Sequence, residues 1–163
     1  MIQVKEVRET TRPLTEVFAY VANFATTAEW DPGVRSARRL DEGPLGVGAR
    51  FAVEAVFLGR TLPMEYEIVE YDPPHRVELK GTSAQTSARD LIAFEDLNGR
   101  TRITWTLDIA LAGPGRLLQP FMGPPLRRLG RKALDGLAER LHCSDPLWET
   151  TRIRHDASHR PHC

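Results

Sequence analysis

The C-terminal segment RIRHDASHRPHC contains the side chains that metals bind most readily, imidazole nitrogen and thiolate sulfur. The candidate ligands are His155, His159, His162 and Cys163. Structural zinc sites generally use closely spaced cysteine pairs, but the two cysteines of this sequence, Cys143 and Cys163, lie far apart in the chain. We therefore expect no physiological metal site and no cofactor, although a divalent metal added in solution would bind here adventitiously.

Asp90 is the carboxylate whose position most suggests chemistry. It alternates with Ile92 and Phe94 in the segment SARDLIAFED, and alternate side chains of a strand point to the same face. An aspartate beside apolar walls has a raised pKa and can act as a general acid or base. The alternative is an aspartate near the end of the strand that reaches solvent or pairs with an arginine.

Tyr66 is the second candidate. Its hydroxyl would donate a hydrogen bond to a carbonyl group of a ligand, or would bond within the core. If the protein catalyses a reaction, Asp90 and Tyr66 are the candidate catalytic residues. The sequence shows no Ser/His/Asp or Cys/His arrangement that would indicate nucleophilic catalysis.

Seven segments have the two-residue period of half-buried antiparallel strands. The first strand is IQVKEVRETT, in which we expect Ile2, Val4 and Val7 to be the apolar positions. The last two strands flank Asn98-Gly99, a dipeptide that suits a tight hairpin turn. The segments between them are VRSARRLD, ARFAVEAVFLG, RTLPMEYEIVEYDPP and HRVELKG.

Helical spacing precedes and follows these strands. RPLTEVFAYVANF predicts a short amphipathic helix with Pro13 in its first turn, and ATTAEWDPGV predicts a second short helix or turn. A long C-terminal helix is predicted by apolar residues three and four apart, namely Leu118, Met122, Leu126, Leu129, Ala133, Leu137 and Leu141. Pro124 and Pro125 must break or kink this helix, and we expect the kink to shape the entrance to any cavity beneath it.

The order of elements predicts an α+β fold in which one antiparallel sheet packs its apolar face against the long helix. The sheet is wider than a single helix can cover, so its twist and curvature would leave a cavity. The alternative is a fully packed core. The candidate ligand-binding residues are Trp30, Phe51, Val53, Phe57, Met64, Tyr66, Asp90, Ile92, Trp105, Leu118, Phe121 and Met122.

The same order of elements, with the segments EWDPGV, YEIVEYDPPHRVEL, FEDLNGRTRITWTLDI and LDGLAERL, resembles the START-like helix-grip superfamily (SRPBCC). The similarity is greatest to its polyketide cyclase/dehydrase and lipid-transport branch. It covers residues 1–142 as one ligand-binding domain and leaves residues 143–163 as a C-terminal tail. The resemblance implies a seven-stranded curved sheet wrapped around the C-terminal helix, two short helices after the first strand, and a deep hydrophobic pocket with its mouth near Trp30.

Members of this superfamily bind lipids, polyketides, plant hormones or quinones, and some are aromatase/cyclases. The resemblance therefore implies that the protein binds a hydrophobic small molecule (polyketide, lipid or isoprenoid-like) in an internal cavity, oriented by Tyr66 and Asp90. A second hypothesis is a polyketide cyclase/aromatase-type enzyme that uses the same cavity.

A third hypothesis is a protein-interaction module that uses the outer face of the sheet. That face is predicted to be charged, which argues against a large apolar interface. Its residues are Glu54, Glu65, Glu67, Glu78 and Lys80.

Composition limits the classes of partner. The 163 residues, 41% hydrophobic and 27% charged, form a globular chain with a formal net charge of zero. Nucleic acid is therefore not an expected partner, although a local charged patch is compatible with this balance. No segment approaches the roughly 20 apolar residues of a membrane span, and the N-terminus lacks the apolar core of a secretory signal. We expect a cytoplasmic monomer or homodimer whose partner is a small molecule.

Overall fold

The structure of the protein is a computed structural model that describes residues 1–143. Its strands are β1 (Ile2–Thr10), β2 (Val34–Arg39), β3 (Arg50–Phe57), β4 (Arg60–Asp72), β5 (Arg76–Thr82), β6 (Thr86–Asp96) and β7 (Thr101–Leu111). Its helices are α1 (Leu14–Ala22), a 3-10 helix (Phe24–Thr26), α2 (Thr27–Trp30), a second 3-10 helix (Gly113–Phe121) and α3 (Gly123–Cys143). None of the described helices is long and apolar enough to span a membrane.

The strands form one antiparallel sheet in the order β1-β7-β6-β5-β4-β3-β2. Every strand except β1 pairs with its neighbour in sequence, and β1 closes the order by pairing with β7. The sheet curves around α3, which confirms the predicted α+β helix-grip fold with its seven strands and long C-terminal helix.

α1 is held against the sheet by one apolar stripe. Val17, Phe18 and Val21 recur at helical spacing and are buried. The ring of Phe18 packs against those of Tyr71 and Phe94, with centroid separations of 5.4 Å in both cases. The predicted amphipathic helix is therefore present, and its apolar stripe packs on β4 and β6.

The first strand differs from its prediction at one position. Val4 is buried, but Val7 is exposed because the two-residue period places it on the opposite face. The face shared with Val4 continues instead through Arg8, whose guanidinium forms an ion pair of 2.7 Å with Asp135 of α3. The second half of β1 thus contacts the helix through polar groups.

The outer face of the sheet also contains one exception to its prediction. Glu54, Glu65 and Glu67 are exposed as expected, but Glu78 is buried. Arg89 donates two hydrogen bonds to its carboxylate, at 2.6 and 2.9 Å, and covers it. This arginine accordingly lowers the pKa of Glu78.

The C-terminal helix begins later than predicted. Leu118 and Phe121 belong to the 3-10 helix before α3 and are 60% and 77% exposed, so neither faces the sheet from α3. The chain changes direction at Met122, and α3 starts at Gly123 with Pro124 and Pro125 in its first turn, where proline needs no hydrogen-bond donor. The predicted break is therefore present. Leu118 and Met122, the first two residues of the predicted apolar stripe, lie before α3 and not within it.

Two glycines allow α3 to approach its neighbours closely. A Cβ atom at Gly130 would lie 3.1 Å from Cγ1 of Val4, and one at Gly136 would overlap the carbonyl oxygen of Trp30. The helix therefore packs directly on β1 on one side and on the end of α2 on the other.

We expect Gly136→Ala to lower the free energy of unfolding by about 1–3 kcal/mol, because the new methyl group must displace backbone rather than a flexible side chain. Helix propensity alone predicts the opposite sign, since alanine favours a helix by about 1 kcal/mol over glycine. Chemical denaturation measures the difference. Gly123→Ala in the same helix is the matched control, because its Cβ would meet no atom within 4 Å; equal stabilities of the two variants would contradict the packing described here.

Candidate functional site

A cavity of about 120 Å³ lies between the sheet and α3. Its walls come from β3, β4, β6 and β7, from the loop after α2, and from the start of α3. The lining is apolar except for a few groups, namely Asp31, Tyr66, Thr86, Asp90 and the indole of Trp105. A largely apolar space with a few convergent polar groups is the usual form of a small-molecule site.

Asp90 lies in the middle of β6 and is 1% exposed. Its Oδ1 atom accepts a hydrogen bond of 2.7 Å from Nε1 of Trp105 on the adjacent strand β7. Its Oδ2 atom is buried and accepts no hydrogen bond of good geometry among the described residues, although the Tyr66 hydroxyl lies close enough to the carboxyl group to lower its pKa. Asp90 therefore neither reaches solvent nor pairs with an arginine, and it places one unsatisfied oxygen at the wall of the cavity.

Burial raises the pKa of Asp90 from 3.8 to about 7, because a charged carboxylate is poorly solvated in an apolar interior. The hydrogen bond from Trp105 and, more weakly, the nearby hydroxyl of Tyr66 oppose this shift, and the charge of Asp31 adds to it. At neutral pH both protonation states are populated. The Oδ2 atom consequently acts as a hydrogen-bond acceptor when ionised and as a donor when protonated.

Asp31 is a second buried carboxyl group at the same cavity. It lies in a segment for which the sequence predicts only a short helix or turn. Its Oδ1 atom accepts a hydrogen bond of 2.7 Å from the backbone N–H of Gly33. Burial raises its pKa from 3.8 to about 6. The preceding Trp30 packs edge-on against Trp105, at a centroid separation of 6.4 Å, and this contact holds the turn against the sheet.

Tyr66 on β4 pairs with Gly81 on β5, and its ring lies over that glycine. A Cβ atom at Gly81 would come within 2.5 Å of the ring, so glycine is required for this position of the tyrosine. The hydroxyl group makes a long contact of 3.9 Å with Sδ of Met64. Burial raises the pKa of Tyr66 well above 10, so the hydroxyl keeps its proton.

The structure divides the predicted ligand-binding residues into three groups. Those that line the cavity are Phe57, Met64, Tyr66, Asp90, Trp105 and Met122. Those that are buried in the core outside the lining are Trp30, Phe51, Val53 and Ile92. Those that are exposed on the 3-10 helix are Leu118 and Phe121.

Several lining residues were absent from the prediction, among them Phe24, Asp31, Leu107 and Ile109. Leu107 and Ile109 share the face of β7 with Trp105, so the two-residue period contained the signal for them. Phe24 and Asp31 lie in short helical and turn segments, where no period indicates which way a side chain points.

Residues 1–143 contain no group of three or more histidine, cysteine, aspartate or glutamate side chains that would hold a metal ion. The predicted adventitious ligands, His155, His159, His162 and Cys163, lie outside the described residues.

Comparison with solved structures supports the fold. TTHA0849 from Thermus thermophilus is 20% identical with a TM-score of 0.76, over 88% of this chain and 99% of that one. The Zhui aromatase/cyclase from Streptomyces sp. R1128 is 14% identical with a TM-score of 0.72, over 86% and 93%. A START superfamily protein from Mycobacterium smegmatis is 14% identical with a TM-score of 0.65, over 85% and 93%.

A search of curated protein sequences finds no match to this chain. The family described as polyketide cyclase / dehydrase and lipid transport matches residues 1–142. This match spans all seven strands and nearly the whole of α3. The chain therefore belongs to the polyketide cyclase/dehydrase and lipid transport family.

Proposed function

We propose that the protein binds a small hydrophobic molecule of the polyketide, lipid or isoprenoid kind in the cavity between the sheet and α3. The observation that carries this proposal is the Oδ2 atom of Asp90, which is buried beside a largely apolar space and accepts no hydrogen bond of good geometry. A buried polar group that lacks a hydrogen bond is unfavourable by about 1–3 kcal/mol. A polar group on a bound ligand would remove that penalty.

The volume of the cavity limits the part of a ligand that it accepts. An engineered cavity of about 150 Å³ holds one benzene molecule, so 120 Å³ accommodates roughly one small ring or a short branched chain. Met64 and Met122 line the space, and their flexible thioether side chains allow it to enlarge. A larger ligand would enter by displacing these side chains rather than the backbone of the sheet.

The polar and apolar parts of the cavity would orient the ligand. Leu107 and Ile109 continue the apolar surface of β7 beyond Trp105, whereas Asp90 and Tyr66 lie on other strands of the same inner face. The apolar body of a ligand would contact the leucine and isoleucine, and its single polar group would bond to Oδ2 of Asp90. Burial of apolar surface supplies the affinity, and the carboxyl group selects the orientation.

We expect the wild-type protein to bind phenol more tightly than toluene by about tenfold at pH 8, where Asp90 is ionised and accepts the phenolic hydrogen. In Asp90→Asn the amide oxygen must accept the hydrogen bond from Trp105, so the amide N–H groups face the cavity, and the preference falls because a neutral bond to the phenol oxygen replaces one to a charged carboxylate. Titration calorimetry with the two ligands measures both affinities.

The matched control is Asp96→Asn, which makes the same chemical change at an exposed position of the same strand. We expect it to keep the preference of the wild type for phenol. Equal binding of phenol and toluene by the wild type, or an unchanged preference in Asp90→Asn, would refute the orienting role of Asp90.

The raised pKa values of Asp90 and Asp31 also make stability depend on pH. Between pH 3.8 and about 7 the native state holds protons that the unfolded chain has released. The free energy of unfolding therefore falls as the pH rises through this window and levels off above it. Asp90 accounts for about 4 kcal/mol of this fall in the free energy of unfolding, and Asp90→Asn removes that part. The fall that remains in the variant ends near the pKa of Asp31, about 6. Denaturation curves at several pH values test this, and parallel profiles for the two proteins would contradict it.

A second candidate function is proton-transfer catalysis of the cyclase/aromatase kind in the same cavity. The specific observation in its favour is the presence of two buried carboxyl groups, Asp31 and Asp90, whose pKa values of about 6 and about 7 suit an acid and a base near neutral pH. An ionised Asp90 would remove a proton from a carbon next to a ketone and later return one.

We expect such an enzyme to accelerate exchange of the central C–H protons of acetylacetone for deuterium in heavy water, followed by NMR. Asp90→Asn would reduce the acceleration by about 100-fold, and Asp96→Asn would leave it unchanged. Binding of acetylacetone without any acceleration of exchange would favour the carrier function over the enzyme.

A further inference from the structure

The beginning of α3 carries a cluster of cations with no ion-pair partner within residues 1–143. This basic face consists of Arg127, Arg128, Arg131 and Lys132, all of them exposed. Arginines elsewhere on the surface are commonly neutralised, as Arg8 is by Asp135 and Arg89 is by Glu78. The first turn of α3 has no acidic residue, although the helix dipole favours one there. The local electrostatics therefore favour an anionic partner.

Large apolar side chains are exposed in two segments beside this face. We call them the apolar tips: Leu58 (74% exposed), Leu117 (81%), Leu118 (60%) and Phe121 (77%). Leu58 occupies the turn between β3 and β4, and the other three belong to the 3-10 helix that leads into α3. These four make up most of the large hydrophobic side chains that the described residues expose. Such a concentration of exposed apolar side chains indicates an interaction site.

A surface groove brings the basic face and Leu58 next to the wall of the cavity. Its volume is about 640 Å³, and it runs between the end of β3 and the first turns of α3. The whole basic face and Leu58 line it, together with Pro124 and Pro125, and no acidic residue does so among the described residues. Val56, Phe57 and Leu129 line both the groove and the cavity. The floor of the groove is thus the outer wall of the cavity.

We propose that the basic face and the apolar tips together form a docking surface for an anionic lipid bilayer. The arginines bind the phosphate groups of the lipids, for which the planar guanidinium offers paired hydrogen bonds. The apolar tips enter the interface between headgroups and acyl chains, as the apolar face of an interfacial helix does. This docking is a property of the surface and does not depend on whether the cavity holds a ligand.

The geometry of the tips favours a bilayer over an acidic protein. A protein partner would need a pocket for each tip, whereas a fluid lipid phase accepts separate protruding side chains without complementary shape. The tips come from two segments that are far apart in sequence: Leu58 lines the groove with the cations, and the 3-10 helix leads directly into the part of α3 that carries them. The net charge of the chain is zero, so the attraction must come from this local cluster.

Sedimentation of the full-length protein with lipid vesicles tests the proposal in the absence of any cavity ligand. We expect binding to vesicles of phosphatidylcholine mixed with phosphatidylglycerol and none to phosphatidylcholine alone. The triple variant Arg127→Gln/Arg128→Gln/Arg131→Gln should bind about 100-fold more weakly at low salt, because each of the three cations contributes about fivefold. Leu117→Ser/Phe121→Ser should bind about tenfold more weakly.

Matched controls separate docking from general attraction. Lys5→Gln/Arg35→Gln/Arg38→Gln removes the same charge from exposed positions of β1 and β2, and should bind as the wild type does. Phe121→Trp should be quenched by brominated lipids, whereas Val47→Trp, at another exposed position, should not. The proposal would be overturned if the protein did not bind anionic vesicles. It would also be overturned by an equal loss of binding in the control triple variant or by an unquenched tryptophan in Phe121→Trp. Either of these two results would indicate only charge adsorption or a protein partner.

Discussion

The hydrogen bond from Trp105 to Asp90 is the interaction on which the rest of the site depends. It joins β6 to β7 and occupies one carboxyl oxygen, so that the other is left at the cavity wall. It also holds the indole in the position against which Trp30 packs, and that contact brings Asp31 to the same cavity. One short bond therefore determines both which polar atom is available and where the second carboxyl group lies. The neutral donors Trp105 and Tyr66 only partly offset the cost of burying a charge, and the pKa of Asp90 remains raised for this reason.

Much of the fold could be predicted from the sequence, because apolar residues recur clearly at two-residue spacing in the strands and at helical spacing in the helices. The two-residue period identified all seven strands and the inward position of Asp90, and the helical period identified α1 and most of α3. The spacing of apolar residues predicts the wrong environment where a local feature of the chain overrides it. Val7 is apolar but lies on the outer face of β1, and Leu118 continues the spacing of α3 but lies before the prolines at which that helix begins. Glu78 alternates correctly but is buried by its arginine partner.

The residues that line the cavity could be predicted less well than the fold. Periodicity states which face a residue occupies, but a cavity occupies only the part of that face that the helix leaves uncovered. Phe51 and Ile92 lie on the inner face and are fully packed, whereas Leu107 lies on the same face and lines the cavity. The difference arises from the curvature of the sheet and from the place where α3 begins, and neither is written in the spacing of apolar residues.

The cavity and the surface groove share a wall near the position where α3 begins, at Gly123. Because the chain breaks at Met122, the residues before it form a separate 3-10 segment whose leucines and phenylalanine face outward, and Met122 itself lines the cavity. The same break leaves the first turns of α3 next to the turn between β3 and β4, where Phe57 faces the cavity and Leu58 faces solvent. The prolines thus place the basic face and Leu58 beside a thin wall of the cavity.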